Sequence, residues 1–96
     1  MNHHFEPHAQ QEFEDAVAYY DGVGPRLGND FIDAVERVIS RILKFPKACP
    51  TLSLSTRRCR IKRFPYGLLY RLNEDEIEII AVMHFSRELN YWVDRL

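Results

Sequence analysis

Apolar residues return at Ala9, Phe13, Ala16 and Tyr20, a spacing that aligns them on one stripe of a helix. Pro7 stands where a first helical turn tolerates it, and the pattern predicts a helix over residues 8–22. Asp21-Gly22-Val23-Gly24 supplies its stop, because glycine takes the left-handed conformation that helix ends favour. Pro25 opens a second apolar face through Leu27, Phe31, Ala34, Val35, Val38, Ile42 and Phe45, which Pro46 ends. The connection is short, so the helices over 8–22 and 25–45 form an antiparallel hairpin.

The second half changes period. Lys47 to Ser55, with Pro50 and several Ser and Thr, is expected as a loop. Alternating bases and apolar groups predict a strand over 57–64, Phe64-Pro65-Tyr66-Gly67 a turn, and 67–73 a second strand. Asn73-Glu74-Asp75 turns the chain into a third strand over 76–85, rich in β-branched residues. Simple alternation along it groups His84 with Ile80 and Val82, opposite Ile79, Ala81 and Met83. His3 to Glu6 is a short strand before Pro7, and Ser86 to Leu96 a short amphipathic helix or a tail. The fold class is α+β, in the order β-α-α-β-β-β, with a helical hairpin packed on one face of an antiparallel β-sheet.

At 96 residues the chain is one domain, spanning 1–96, and 46% hydrophobic with 28% charged residues is a globular balance. The longest apolar run, Ile79 to Met83, is far shorter than the ~18 residues of a membrane span, and the first residues lack the pattern of a secretory signal. Both point to the cytoplasm, where Cys49 and Cys59 are expected as thiols acting as small apolar residues. The net charge of −1 argues against a nucleic-acid binder that is basic over its whole surface. It conceals a segregation, however. Residues 57–71 hold Arg57, Arg58, Arg60, Lys62, Arg63 and Arg71 with no acid, while residues 1–22 hold five acids and no Lys or Arg.

No nucleotide-binding glycine loop, HExxH or GxSxG is present, so those enzyme classes drop out, and no cofactor is implied. His3, His4 and His8, interrupted by Pro7, have nothing to fix metal geometry and are expected as flexible terminal histidines. Arg58, Arg60 and Lys62 alternate along a strand at intervals of about 6.6 Å. With Arg71 they suit successive phosphates or a carboxylate-rich partner; the plainer alternative is a solvated strand face that discourages edge pairing. His84, Arg87 and Tyr91 lie close in sequence and can supply an acid or base, a phosphate clamp and a proton-donating ring. The plainer reading makes His84 a structural hydrogen-bonding residue, with Tyr91 and Trp92 anchoring the C-terminal segment.

The chain resembles the RelE/ParE superfamily of bacterial type II toxins over nearly its whole length. The resemblance is carried by five pieces in order: Ala9-x-x-x-Phe13-x-x-Ala16-x-x-Tyr19-Tyr20; Leu27-Gly28-x-x-Phe31; Ile42-x-x-x-Pro46; Arg63-Phe64-Pro65-Tyr66-x-x-x-Tyr70; and Ala81-Val82-x-His84-x-x-Arg87-x-x-x-Tyr91-Trp92-x-x-Arg95. It implies a toxin neutralised by a cognate antitoxin encoded by an adjacent gene, whose tail wraps the toxin and covers its functional surface; the basic strand leads us to expect that its acids pair with Arg58, Arg60 and Lys62. Two activities are known on this scaffold. ParE-like members, which Tyr19-Tyr20, Phe64-Pro65-Tyr66 and Tyr91-Trp92 resemble, poison DNA gyrase. RelE-like members cut messenger RNA on the ribosome without a metal, and in such a site Arg63 and Arg87 would clamp the phosphate while His84 or Tyr91 moved protons. The net charge of −1 and the single lysine of the basic stretch, Lys62, favour gyrase over the ribosome. A folded relative that keeps antitoxin binding without toxicity is the third alternative.

Overall fold

The first turn of the first helix is capped by a side chain from outside it. Glu6 has extended backbone, and its carboxylate accepts the amides of His8 (2.9 Å) and Ala9 (3.2 Å) and the imidazole of His8 (2.7 Å). In the computed structural model, which describes all of residues 1–96, that helix, α1, spans Pro7–Val23 and follows a short strand, β1 (Asn2–Phe5). A second helix, α2, spans Leu27–Lys44, and four strands follow: β2 (Thr51–Ser53), β3 (Thr56–Ile61), β4 (Tyr66–Asn73) and β5 (Glu76–His84). The sheet order is β1-β5-β4-β3-β2. It is antiparallel except at β1, which runs parallel to β5 with Phe5 opposite Ile79. The expected α+β architecture holds, and no helix is long and apolar enough to cross a membrane.

Both helices lie on one face. Ala9, Ala16, Phe31, Val35 and Ile42 pack there on Ile61, Leu68, Tyr70, Ile79 and Val82. An aromatic chain runs through this layer, from Phe13 to Phe31 (6.2 Å between centroids), Phe31 to Tyr66 (5.2 Å) and Tyr66 to His84 (5.0 Å). Gly28 lets the helices close: a Cβ there would meet the Asp21 carboxylate and stand 3.1 Å from the Val17 carbonyl oxygen. The other face is covered by the C-terminal segment, which ends in a 3-10 turn at Val93–Arg95. Its fully buried Trp92 packs with Leu69, Ile80, Ala81 and Met83.

Several expectations are corrected. The 47–55 loop contains β2, and the two-residue turn joining it to β3 uses left-handed Leu54 and Ser55 (φ 50° and 58°) in place of the usual Asn or Gly, so no turn signal announced it. Gly24 is extended (φ −170°), and it is Arg26, at φ 69°, that takes the left-handed conformation before α2, which therefore begins after Pro25. Phe45, expected on the apolar face, is 62% exposed beyond the end of α2, while Ile39 is buried. Strand β5 carries a bulge. Leu69 faces Ala81 but Tyr70 faces Ile79, so Ile80 is an extra residue and the simple alternation breaks there. His84 consequently shares the helix-covered face with Val82 and Ile79, and Ile80 joins Ala81 and Met83 on the other.

Cys49 and Cys59 form a disulfide, because the β2–β3 hairpin brings their Cα atoms to 5.5 Å although ten residues separate them in sequence. Two of the terminal histidines are engaged rather than free: His4 bonds Glu76 and Glu78 on β5, and His8 bonds Glu6.

Burial works against the Glu6 charge, but its bonds to His8 and to the two amides outweigh that and hold its carboxyl below the ordinary 4.5. The stability contributed is therefore present above the unfolded-state value and is lost as pH falls through the lower folded one. Glu6→Ala should cost about 1 kcal/mol at pH 7. In urea titrations from pH 7 to strongly acidic conditions, the gap between the variant and the parent should narrow below about pH 4.5.

Candidate functional site

Beyond Phe5, where β1 ends, the outer edge of β5 has no strand beside it. One backbone amide and two side chains take over. The Glu6 amide donates to the Ile79 carbonyl (2.9 Å), Arg95 Nη1 donates to the Ile80 carbonyl (3.0 Å), and the Val82 amide donates to Glu12 Oε1 (3.1 Å). Glu12 also accepts the Tyr91 hydroxyl (2.6 Å) and both terminal nitrogens of Arg95 (2.7 and 3.1 Å). One carboxylate on α1 thus joins helix, sheet and C-terminal segment.

Next to this junction a cleft of about 270 Å³ opens between α1 and the end of β5. Helix α1 contributes Glu12, Asp15, Ala16 and Tyr19; Tyr66, Val82 and His84 come from the sheet, and Arg87 and Tyr91 from the segment beyond. The position of His84 follows from the bulge, and its ring meets Tyr66 edge-on. The Ser86 amide donates to its Nδ1 (3.0 Å), so the neutral ring carries its proton on Nε2. Arg87 lies over the Tyr91 ring at 4.0 Å, and Arg95 approaches the same ring at 4.9 Å. Burial, reinforced by the bond to Glu12, pushes the Tyr91 hydroxyl far above its ordinary range. Burial likewise raises Tyr66, with Tyr20 and Tyr19 adding to it.

Of the residues singled out for chemistry, His84, Arg87 and Tyr91 come together and Arg63 does not. Arg63 sits on the β3–β4 turn, stacked on Phe64 (5.6 Å) and 3.7 Å from Asp30 of α2. The basic set divides as well. Arg58 and Arg60 approach the Phe85 ring at 5.6 and 5.2 Å, over Gly67, whose missing side chain lets the Arg58 stem lie flat. Lys62 lies past the end of β3, in the turn. Arg71 is paired with Glu78 at 2.8 Å. Arg57 turns inward to the carbonyls of Lys47 (3.1 Å) and Cys49 (2.7 Å).

Sequence reasoning passed over Glu12, Asp15 and the roles of Tyr19, Tyr66 and Arg95. A signal for the first group existed: Glu12, Asp15, Ala16 and Tyr19 recur at helical spacing beside the apolar stripe of α1.

Comparison with known proteins agrees with this architecture. The family model described as "ParE toxin of type II toxin-antitoxin system, parDE" matches residues 4–89. Toxin ParE2 of Mycobacterium tuberculosis, in strains CDC 1551 / Oshkosh and ATCC 25618 / H37Rv, is 33% identical over 79 residues, covering 78% of this chain and 72% of the relative. A solved chain from the chromosomal ParDE TA system of P. aeruginosa superposes with a TM-score of 0.65 at 16% identity, over 88% of this chain and 95% of that one, a likeness of fold.

Side chains of Glu12 and Arg95 are only 17% and 12% exposed, so a change that leaves Arg95 without its counter-charge is expensive. Glu12→Gln should lower unfolding free energy by about 3 kcal/mol and speed amide exchange at residues 91–96. Glu14→Gln, on the exposed side of α1, should stay within about 0.5 kcal/mol in the same urea and exchange measurements.

Proposed function

The chain belongs to the ParE toxin family of type II toxin-antitoxin systems, and from that premise we propose that it poisons DNA gyrase and is held inactive by an antitoxin encoded beside it. The observation that carries the gyrase reading is the content of the cleft. Two carboxylates, Glu12 and Asp15, share it with His84 and Arg87, and Arg63 is on another part of the surface. A phosphodiester held for cleavage needs converging cations and a free proton donor. Here the carboxylates repel a phosphate, and the Tyr91 hydroxyl is already committed to Glu12. A surface with exposed Tyr19, His84 edge-on to Tyr66 and mixed charges at its rim suits contact with a protein.

The action belongs in the cytoplasm, where the target is. The disulfide is compatible with that compartment, since Cys49 and Cys59 are 6% and 4% exposed and the burial keeps thiolates from their sulfurs. The antitoxin covers the cleft and brings acids to Arg58, Arg60 and Lys62; Arg71, already paired with Glu78, adds little.

Inducing the chain alone, with messenger 5′ ends and gyrase-linked DNA breaks mapped together, tests the reading. DNA breaks with damage signalling and no codon-phased messenger cuts are expected. His84→Ala and Arg87→Ala should each weaken growth arrest in part, as changes to a contact surface do. Codon-phased cuts abolished by either change would replace gyrase with messenger RNA as the target. Normal growth with neither lesion would leave a relative that only binds its antitoxin.

A further inference from the structure

A second recess, of about 200 Å³, lies between α2 and the β3–β4 turn, and five basic residues line it, the Arg60 guanidinium itself lying against the Phe85 ring. Arg37 and Arg41 come from one face of α2, Arg60 from β3, and Lys62 and Arg63 from the turn. A single acid, Asp30, is present, and it already faces Arg63 at 3.7 Å. Arg37, Arg41, Arg60 and Lys62 form no ion pair with any carboxylate of the chain. Arg63 is held in a left-handed backbone conformation, φ 78°, which a side-chain-bearing residue adopts only under constraint. The chain therefore concentrates like charges at one place without neutralising them, and a strained residue completes the set.

The recess also has an apolar floor, Ala34 and Val38, and it adjoins an open strand edge. Strand β2 pairs only as far as Arg57, and the Arg58 amide is taken by the Pro50 carbonyl (3.1 Å). By ladder alternation the Arg60 amide points to the same outer side. Cations, an apolar floor and a strand-edge donor together suit a polypeptide with carboxylates flanking an apolar side chain. A nucleic acid would want exposed stacking faces, and no aromatic residue lines the recess; the Phe64 ring beneath Arg63 is 5% exposed.

We infer that this recess anchors an acidic segment of the antitoxin, with Arg37 and Arg41 of α2 as its principal carboxylate partners. The inference rests on the reading that an antitoxin holds the chain, and it adds two α2 residues to the contact expected from the basic strand.

The test uses the full chain and the protein encoded by the adjacent gene, with affinity measured by titration calorimetry across roughly 50 to 200 mM salt. Arg37→Glu and Arg41→Glu, both exposed on α2, should each weaken binding about tenfold or more and flatten the salt dependence. Lys44→Glu, on the same helix but outside the recess, should leave affinity within about twofold. Unchanged affinity in both arginine variants overturns the inference and leaves the antitoxin reading standing. An equal loss in Lys44→Glu also overturns it, by reducing the effect to net charge. Failure of the parent chain to bind the neighbour-encoded protein removes both. A labelled single-stranded oligonucleotide that binds the parent more tightly than that protein does, and is lost in Arg37→Glu, would reassign the recess to nucleic acid.

Discussion

The carboxylate of Glu12 is the constraint on which the rest of the arrangement depends. Strand β1 covers only half of β5, and the remaining edge would present unpaired backbone groups next to a helix. Glu12 takes the Val82 amide, and Arg95, held by Glu12, takes the Ile80 carbonyl. The edge is closed without another strand, and the C-terminal segment is drawn across the end of the sheet. Tyr91 then forms a wall of the cleft, and Trp92 is delivered to the opposite face. The indole N–H of Trp92 is buried without an acceptor, which costs roughly 1–3 kcal/mol and is offset by the apolar surface the ring covers.

Charge is distributed by the same logic. Three arginines are engaged inward by specific acceptors: Arg57 by loop carbonyls, Arg71 by Glu78 and Arg95 by Glu12. Three others, Arg58, Arg60 and Arg87, lie on aromatic rings, which orders their guanidinium groups while leaving their charge available. The positive potential that remains is concentrated where α2 meets the β3–β4 turn, away from the mixed-charge cleft. A near-neutral protein thereby presents two surfaces of different character.

Helical periodicity, the proline and glycine punctuation and the β-branched runs were enough to place the hairpin and the last three strands, because those signals are local. The convergence of His84, Arg87 and Tyr91 was also legible, since a strand end and the turn after it stay together in space. Strand β2 was not legible, because its turn uses Leu54 and Ser55 in a conformation normally signalled by Asn or Gly. Nor was the face of Ile80, because a bulge is set by the register of two strands rather than by either strand alone.

By itself the sequence determined the family, the α+β order and the segregation of acids from bases. Only the tertiary structure decided which charges meet. Alternation along β3 sends Arg57 inward and Arg58 and Arg60 outward, so a run of bases in sequence is not a patch in space. The recess takes Arg37 and Arg41 from a helix some twenty residues away, while Cys49 and Cys59 are brought to bonding distance by a hairpin. Glu12, one acid among five in the first 22 residues, becomes the junction because α1 crosses β5 at the point where β1 stops. Such pairings depend on packing between distant segments, and no local pattern records them.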